Sequence, residues 1–256
     1  VVAGQTAQWR NQRPLTTALV AVLALAIVAA IVSFVAYLQR AAALSDIVDH
    51  GLTFDRIHTA NDADDFAGAA AAFVVLCSLV LLVLVIIWTW RTAKNVEALG
   101  RPNPRFSPGW GIAGWLIPLA NVVIPVLMLQ DFWRASDTTS PRGDPGWRRV
   151  RGSGLVGWFW VAFVISSLGR GYFGQTSAHY TDQQALRDLA THDYVTAAGA
   201  IALIAAAILG ILVFRKITAR QEECLRAQQA AWAPATPPPS SSPPPTIPPT
   251  MVPPPA

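Results

Sequence analysis

The sequence predicts an all-α, polytopic transmembrane protein with four spans and one re-entrant or interfacial helical segment interrupted by proline. Five full spans is the alternative. Three observations carry this reading. Five long stretches hold no Asp, Glu, Lys or Arg. Basic residues collect at particular ends of those stretches. Charged residues make up only 13% of the 256-residue chain against 53% apolar, where a soluble domain carries about 25% charged residues. That balance excludes an ordinary water-soluble enzyme, and the net charge of +4 gives no case for a nucleic-acid partner.

Residues 1–14 read as a cytoplasmic N-terminal segment carrying Arg10 and Arg13. The chain opens on Val1 without a Met, as a fragment or trimmed start would. No cleavage site follows the first apolar run, so that run reads as a retained span. The charge-free runs are Leu15–Leu38, Ala67–Trp90, Trp110–Gln130, Gly152–Gly169 and Val195–Phe214. All are near the roughly 20 helical residues that cross a bilayer, so flanking charge must decide between them.

Lys and Arg mark cytoplasmic ends. Arg91, Lys94, Arg101 and Arg105 follow the second run, and Arg134, Arg142, Arg148, Arg149 and Arg151 follow the third. The segments after the first and fourth runs are acidic instead, holding nine of the twelve Asp. Both flanks of Trp110–Gln130 are therefore basic. With that run turning back, 15 of the 19 basic residues lie in the cytoplasm. Pro118 and Pro125 break its helix, and Asn121 between them is expected to cap backbone groups that the breaks free. Most tryptophans fall at the cytoplasmic boundary, as interfacial anchors do.

Each half then reads as span, acidic outer loop, span and basic exit helix, the exits being Arg91–Asn95 and Arg215–Gln221. A parallel duplication would produce this. The outer loops are expected to be mobile, with short helical stretches near Ala41–Val48 and Thr181–Ala190. The domain spans 15–226. Residues 227–256 form a tail whose Pro234–Ala256 portion holds 12 prolines in 23 residues, and it is expected to be disordered, cytoplasmic and rich in polyproline II.

Few groups point to chemistry. His50, His58, His179 and His192 all lie in the outer segments, with Asp55 and His58 or Asp188 and His192 spaced to share a helix face. No tight ligand spacing accompanies them, so no metal and no cofactor is expected. Gly152–Gly157 matches a dinucleotide fingerprint in letters alone, and reads as small residues at a span's start that allow close helix approach. Ala202, Ala206 and Gly210 form a small-residue ridge for helix packing. The spans carry no Asp, Glu, Lys, Arg or His, which argues against coupled transport. Cys77 and Cys224 are expected as free thiols. No catalytic residue is assigned, and the chain is read as no enzyme.

The stretch Arg91–Ser136 carries a recognisable arrangement. Arg91 and Asn95 leave a span, and Ser107-Pro108-Gly109-Trp110 enters the next segment. Trp115, Pro118, Asn121 and Pro125 follow, before an exit through Trp133 and Arg134. This resembles the actinobacterial membrane family catalogued as domain of unknown function 4328, over about Leu15 to Arg226. Arginine outnumbering lysine 17 to 2 agrees with a high-GC source. The resemblance implies a multi-pass membrane domain and no activity. The functional expectation is a non-enzymatic interaction or regulatory protein of the cell membrane with both termini cytoplasmic. Its partners would be the lipid bilayer and a membrane or cytoplasmic protein, with homo-oligomers left open. A passive channel or facilitator with residues 110–130 as its constriction is the alternative.

Overall fold

The computed structural model describes residues 8–171 and 182–232. Six helices account for most of them: α1 (Arg13–His50), α2 (Phe54–Ala98), α3 (Trp110–Leu116), α4 (Pro118–Ala135), α5 (Gly154–Gly171) and α6 (Gln183–Trp232). Residues 227–232, assigned to the disordered tail, continue α6 as helix to Trp232, and the expectations for Pro234–Ala256 fall outside the described residues.

Three helices, α1, α2 and α6, are long and apolar enough to cross a membrane. At 38, 45 and 50 residues and 1.5 Å per residue they run about 57 to 75 Å, twice a hydrocarbon core. Their middle turns expose Leu25, Val28 and Ile31 on α1, Leu76, Leu79 and Val83 on α2, and Ile201 and Ile208 on α6. Apolar groups so displayed are stable facing lipid and costly facing water. α5 is shorter at 18 residues, about 27 Å.

The helices continue beyond the apolar zone at both ends. Pro14 stands in the first turn of α1, where its missing N–H costs nothing. α1 closes at Gly51, whose φ of 80° places it in the left-handed region and whose N–H bonds the Ile47 carbonyl at 3.0 Å. Thr53 then caps α2 by accepting from the Arg56 amide. The first outer segment is therefore helix to within three residues, where a mobile loop was expected. Its alanines explain this: Ala41–Ala43 and Ala60, Ala63 and Ala67 favour helix and let neighbours close in. A small outer core of Leu44, Ile47, Ala60, Leu186 and Leu189 joins the three long helices there. Arg40 adds an ion pair to Asp64 at 3.0 Å and lies 3.6 Å from the buried Asp193.

The outer histidine pairings differ from those expected by spacing. His50 meets Asp46 at 2.9 Å and His58 meets Asp62 at 3.0 Å, each four residues apart on its helix. Asp188 instead accepts from Gln184, and His192 lies against Asp193.

α1 packs between α2 and α6, α5 packs on α6, and α3 and α4 bridge from α2 to α5. The small-residue ridge is used within the chain: a Cβ on Gly210 would lie 3.1 Å from the Phe159 ring and 3.6 Å from Leu23. Gly154 and Gly157, by contrast, face open space and bring no helix closer. Trp88, Phe132, Phe159 and Phe214 fill the centre at edge-to-face geometry, with Trp88 and Phe214 rings 4.8 Å apart.

Candidate functional site

The predicted break between α3 and α4 falls at Ile117, with φ −86° and ψ 118°, one residue before Pro118. The residue ahead of a proline is driven out of the helical region by the pyrrolidine ring. α3 then folds back: a Cβ on Gly114 would lie 2.9 Å from Ile124, ten residues away, which a continuous helix would hold about 15 Å apart. Gly111 lets α3 approach α2 so closely that a Cβ would stand 2.9 Å from the Trp90 nitrogen. Thr89 clasps the pair, donating to the Gly111 carbonyl and accepting from Trp115 Nε1 at 3.1 Å. The open ends of this hairpin meet at the same end of the bundle. Trp110 starts beside Trp90, and Ala135 finishes beside Arg101. Leu116, Ile117 and Leu119 at the tip are exposed and apolar. Trp160 of α5 supports α4 by donating to the Val122 carbonyl at 3.0 Å.

Below the aromatic core lies a buried polar layer. Trp88 Nε1 donates to Thr16 at 3.0 Å, and the Thr16 and Thr218 hydroxyls pair at 2.9 Å. Gln12 donates to Thr92 at 3.0 Å, and Gln221 to the Thr92 carbonyl at 3.3 Å. Asn95 receives the Arg10 N–H on its oxygen and donates to the Arg10 carbonyl, both at 2.9 Å. Its amide nitrogen also reaches Gln221 at 3.4 Å. This layer joins the entry to α1 with the exits of α2 and α6. Gln12 Oε1 is buried there without a hydrogen-bond partner, and the bonded groups, in a low-dielectric setting, hold the layer rigid.

Beneath that layer, α2 ends in two C-terminal bonds, Gly100 N–H to Glu97 and Arg101 N–H to Val96. Gly100 at φ 69° is required by that ending, and it aims Arg101 inward. Arg101 is 3% exposed. Its guanidinium donates to the carbonyls of Ala135, Asp137, Ser140 and Pro141 at 2.8 to 2.9 Å. Two of these carbonyls sit at or just past the end of α4, whose dipole is negative there. Arg101 Nη2 also lies 3.4 Å from the Cys224 sulfur of α6. Burial pushes that thiol upward from its ordinary pKa. Asp131 lies between Arg134 at 3.2 Å and Arg105 at 3.7 Å, and burial raises its carboxyl. Asp137 is held below its ordinary value, chiefly by the Thr139 hydroxyl at 2.6 Å.

The residues singled out in the sequence fall into place unevenly. Asn95, Trp115, Pro118 and Pro125 are buried or shape the hairpin. Trp133 carries the Arg220 guanidinium on its face at 4.3 Å, and Arg134 donates to the Val150 carbonyl at 3.1 Å. Trp110 stacks edgewise on Phe106 and is partly exposed, and Arg91 is half-buried on α2. Asn121 does not cap the break: its amide oxygen is buried without a hydrogen-bond partner, while Ile117 closes α3 through its own N–H to Ala113. Arg101, Gln12, Thr16, Thr218 and Gln221 were not singled out. Thr89, Thr92 and Asn95, each three residues apart beside Trp88, formed a polar stripe that could have flagged the layer.

A bundle with a lipid-facing apolar belt, a folded-back proline hairpin and a polar base defines a membrane-embedded helical protein. The family described as domain of unknown function (DUF4328) matches residues 52–219, and the chain belongs to it. No curated protein and no solved structure matches the chain.

Proposed function

We propose that this chain is a non-enzymatic interaction or regulatory protein of the cell membrane, with α1, α2, α5 and α6 as four spans and α3–α4 as a re-entrant hairpin entering from the cytoplasm. The observation that carries the reading is the base built on Arg101. One buried guanidinium ties the end of α2, the end of α4, the 136–141 loop and α6 into a single ordered surface. Arg220 on Trp133 and Gln228 on the Leu99 carbonyl extend it. Most of the polar groups there bond each other or the backbone, while Arg220 Nε and Gln228 Oε1 are buried without a hydrogen-bond partner. A fixed base with exposed side chains suits recognition of another protein.

The hairpin's basic flanks and apolar tip support re-entry. Single cysteines at Pro104 and Thr138, in a chain lacking Cys77 and Cys224, test it with an impermeant maleimide. Both should stay unlabelled in intact cells and react in opened ones; labelling of Thr138→Cys alone from outside would make the segment a fifth span.

A passive channel is the second reading, favoured by the unpartnered Asn121 oxygen inside the hairpin. The aromatic packing of Trp88, Phe132, Phe159 and Phe214 opposes it, since these rings occupy the bundle's axis. Affinity purification from the native membrane and liposome flux separate the two. A stoichiometric protein partner without flux supports the first; solute flux from the pure protein overturns it.

A further inference from the structure

Asp193 of α6 is 0% exposed, and among the described residues no hydrogen bond reaches either of its carboxylate oxygens. It stands two residues before the charge-free run Val195–Phe214, outside the lipid-spanning part of the helix. An ionised carboxylate in such a place is costly unless a cation offsets it. That cation is Arg40 of α1, whose Nε lies 3.6 Å from Asp193 and 3.0 Å from Asp64 of α2. His192 Nδ1 stands 3.5 Å from the other Asp193 oxygen.

The three helices present this group at matching positions. Arg40 falls between Tyr37 and Leu44 on α1, Asp64 between Ala60 and Ala67 on α2, and Asp193 between Ala190 and Ala197 on α6. Leu44, Ala60 and Ala190 belong to the small outer core. Tyr37, Ala67 and Ala197 belong to a second apolar cluster, about two helical turns deeper. The charged layer is therefore clamped between two apolar ones. Its charged and titratable members are Arg40 and Tyr37 from α1, Asp64 from α2 and His192 from α6 itself. α5, which also packs on α6, holds no such group from Gly154 to Gly169. The Asp64 and His192 side chains are 59% and 20% exposed, so protons from the outer solution reach the layer at its rim.

Burial raises the Asp193 carboxyl above its ordinary value, against the lowering pull of Arg40 and His192. The closed layer thus holds a proton more readily than the same carboxyl opened to water. The stabilisation of closure by that proton is full below the ordinary carboxylate pKa and is lost as pH rises through the raised value.

We propose that Asp193 is a proton-binding site that couples acidity outside the membrane to the closure of α1, α2 and α6 at their outer ends. With the proton on Asp193, Arg40 pairs with Asp64 and the layer is neutral. With the proton lost, one arginine is shared between two carboxylates, the buried layer carries negative charge, and the outer ends loosen. The site does not depend on what the base recognises. Only the side of the membrane whose pH it reads rests on the topology proposed above.

Hydrogen exchange followed by mass spectrometry tests the site on the full chain in nanodiscs, each variant being compared with wild type at one pH so that intrinsic exchange rates cancel. Asp193→Asn has the shape of the protonated carboxyl and no charge. Near pH 7.5 its amides over residues 39–66 and 183–193 should exchange several-fold more slowly than those of wild type, and near pH 4, in the ordinary carboxylate range, the two should agree. Residues 92–101 at the base should exchange alike in both. His192→Gln should keep the wild-type dependence on pH. Thermal melts near pH 7.5 give a second reading, in which Asp193→Asn should melt no lower than wild type. Equal or faster outer exchange in Asp193→Asn near pH 7.5 overturns the proton site, and so does a lower melting temperature. Loss of the pH dependence in His192→Gln with its retention in Asp193→Asn moves the proton to the imidazole and overturns it as well.

Discussion

Replacing Arg101 with Met keeps the length of the side chain and removes its charge and donors. Four carbonyls, those of Ala135, Asp137, Ser140 and Pro141, then lose their partner in a place where Arg101 itself was 3% exposed. Hydrogen bonds from a charged donor contribute about 1.5 to 3 kcal/mol each, but four bonds to one group do not add. The cost of burying the guanidinium, which is relieved in the variant, offsets part of the loss. A net cost of about 3 to 5 kcal/mol follows, comparable to breaking a buried ion pair. It falls on the 136–153 loop, since three of the four carbonyls lie in its first residues. Trypsin reads this directly, because Arg142, Arg148, Arg149 and Arg151 sit in that loop. In inside-out vesicles cleavage follows the open fraction of the loop, so Arg101→Met should be cut about a hundredfold or more faster than wild type. Arg101→Lys keeps the charge but has three donors for four acceptors, and should fall between. Cleavage of Arg101→Met at the wild-type rate would refute the claim that this residue holds the base together.

Gly111→Ala should destabilise the protein by about 1 to 3 kcal/mol in mixed-micelle unfolding, since its Cβ meets α2 backbone at 2.9 Å. Gly109→Ala, 3.8 Å from the Ser107 hydroxyl alone, should be near neutral, and equal losses would count against the close α2–α3 contact. Asp137 has a depressed carboxyl pKa in the folded protein, so it binds fewer protons folded than unfolded near that range. Its stabilisation is present above the ordinary carboxylate pKa and is lost as pH falls through the lowered value. Thermal melts from pH 7 to 3 should therefore show a steeper loss for wild type than for Asp137→Asn, and parallel curves would remove that linkage. Cys224 is buried and its thiol is raised, so alkylation at pH 7.5 should be slow in the folded protein and fast after unfolding in SDS. Fast labelling of the native chain in a Cys77→Ala background would contradict the packing of α6 on Arg101.

Much of the bundle could be read from the chain because lipid imposes strong rules. A charge-free run of twenty residues has few other uses, and the proline at 118 with arginines on both sides pointed to a break near Ile117. Helix length beyond the lipid was harder to read. Residues 39–66 are rich in Asp, which sequence rules assign to solvated loops, yet their alanines let α1, α2 and α6 close on a second small core. Arg101 was indistinguishable from Arg91, Lys94 and Arg105. Its burial depends on Gly100 turning the chain and on α4 ending nearby, both properties of tertiary structure. The polar layer was partly visible as Thr89, Thr92 and Asn95 along one face of α2. Its partners Thr16, Thr218 and Gln221 lie far away in the sequence, and only packing brings them in. Asn121 shows the reverse error, a residue type suited to capping at a break that the backbone had already closed by itself.

The contacts of Trp88 also impose an order of assembly. Its indole N–H faces Thr16 and Thr218, and its ring lies against Phe132 and Phe214. A nascent chain that has released only α1 and α2 can supply Thr16 alone. The hairpin brings Phe132 next, and α6, made last, brings Phe214 and Thr218 together with Gln221 for the Thr92 carbonyl. Until α6 arrives, the centre of the half-made bundle is open and its polar layer is incompletely bonded. A chain stopped before residue 214 lacks Phe214, Thr218 and Gln221, so Trp88 and Thr92 go without these partners until α6 is complete.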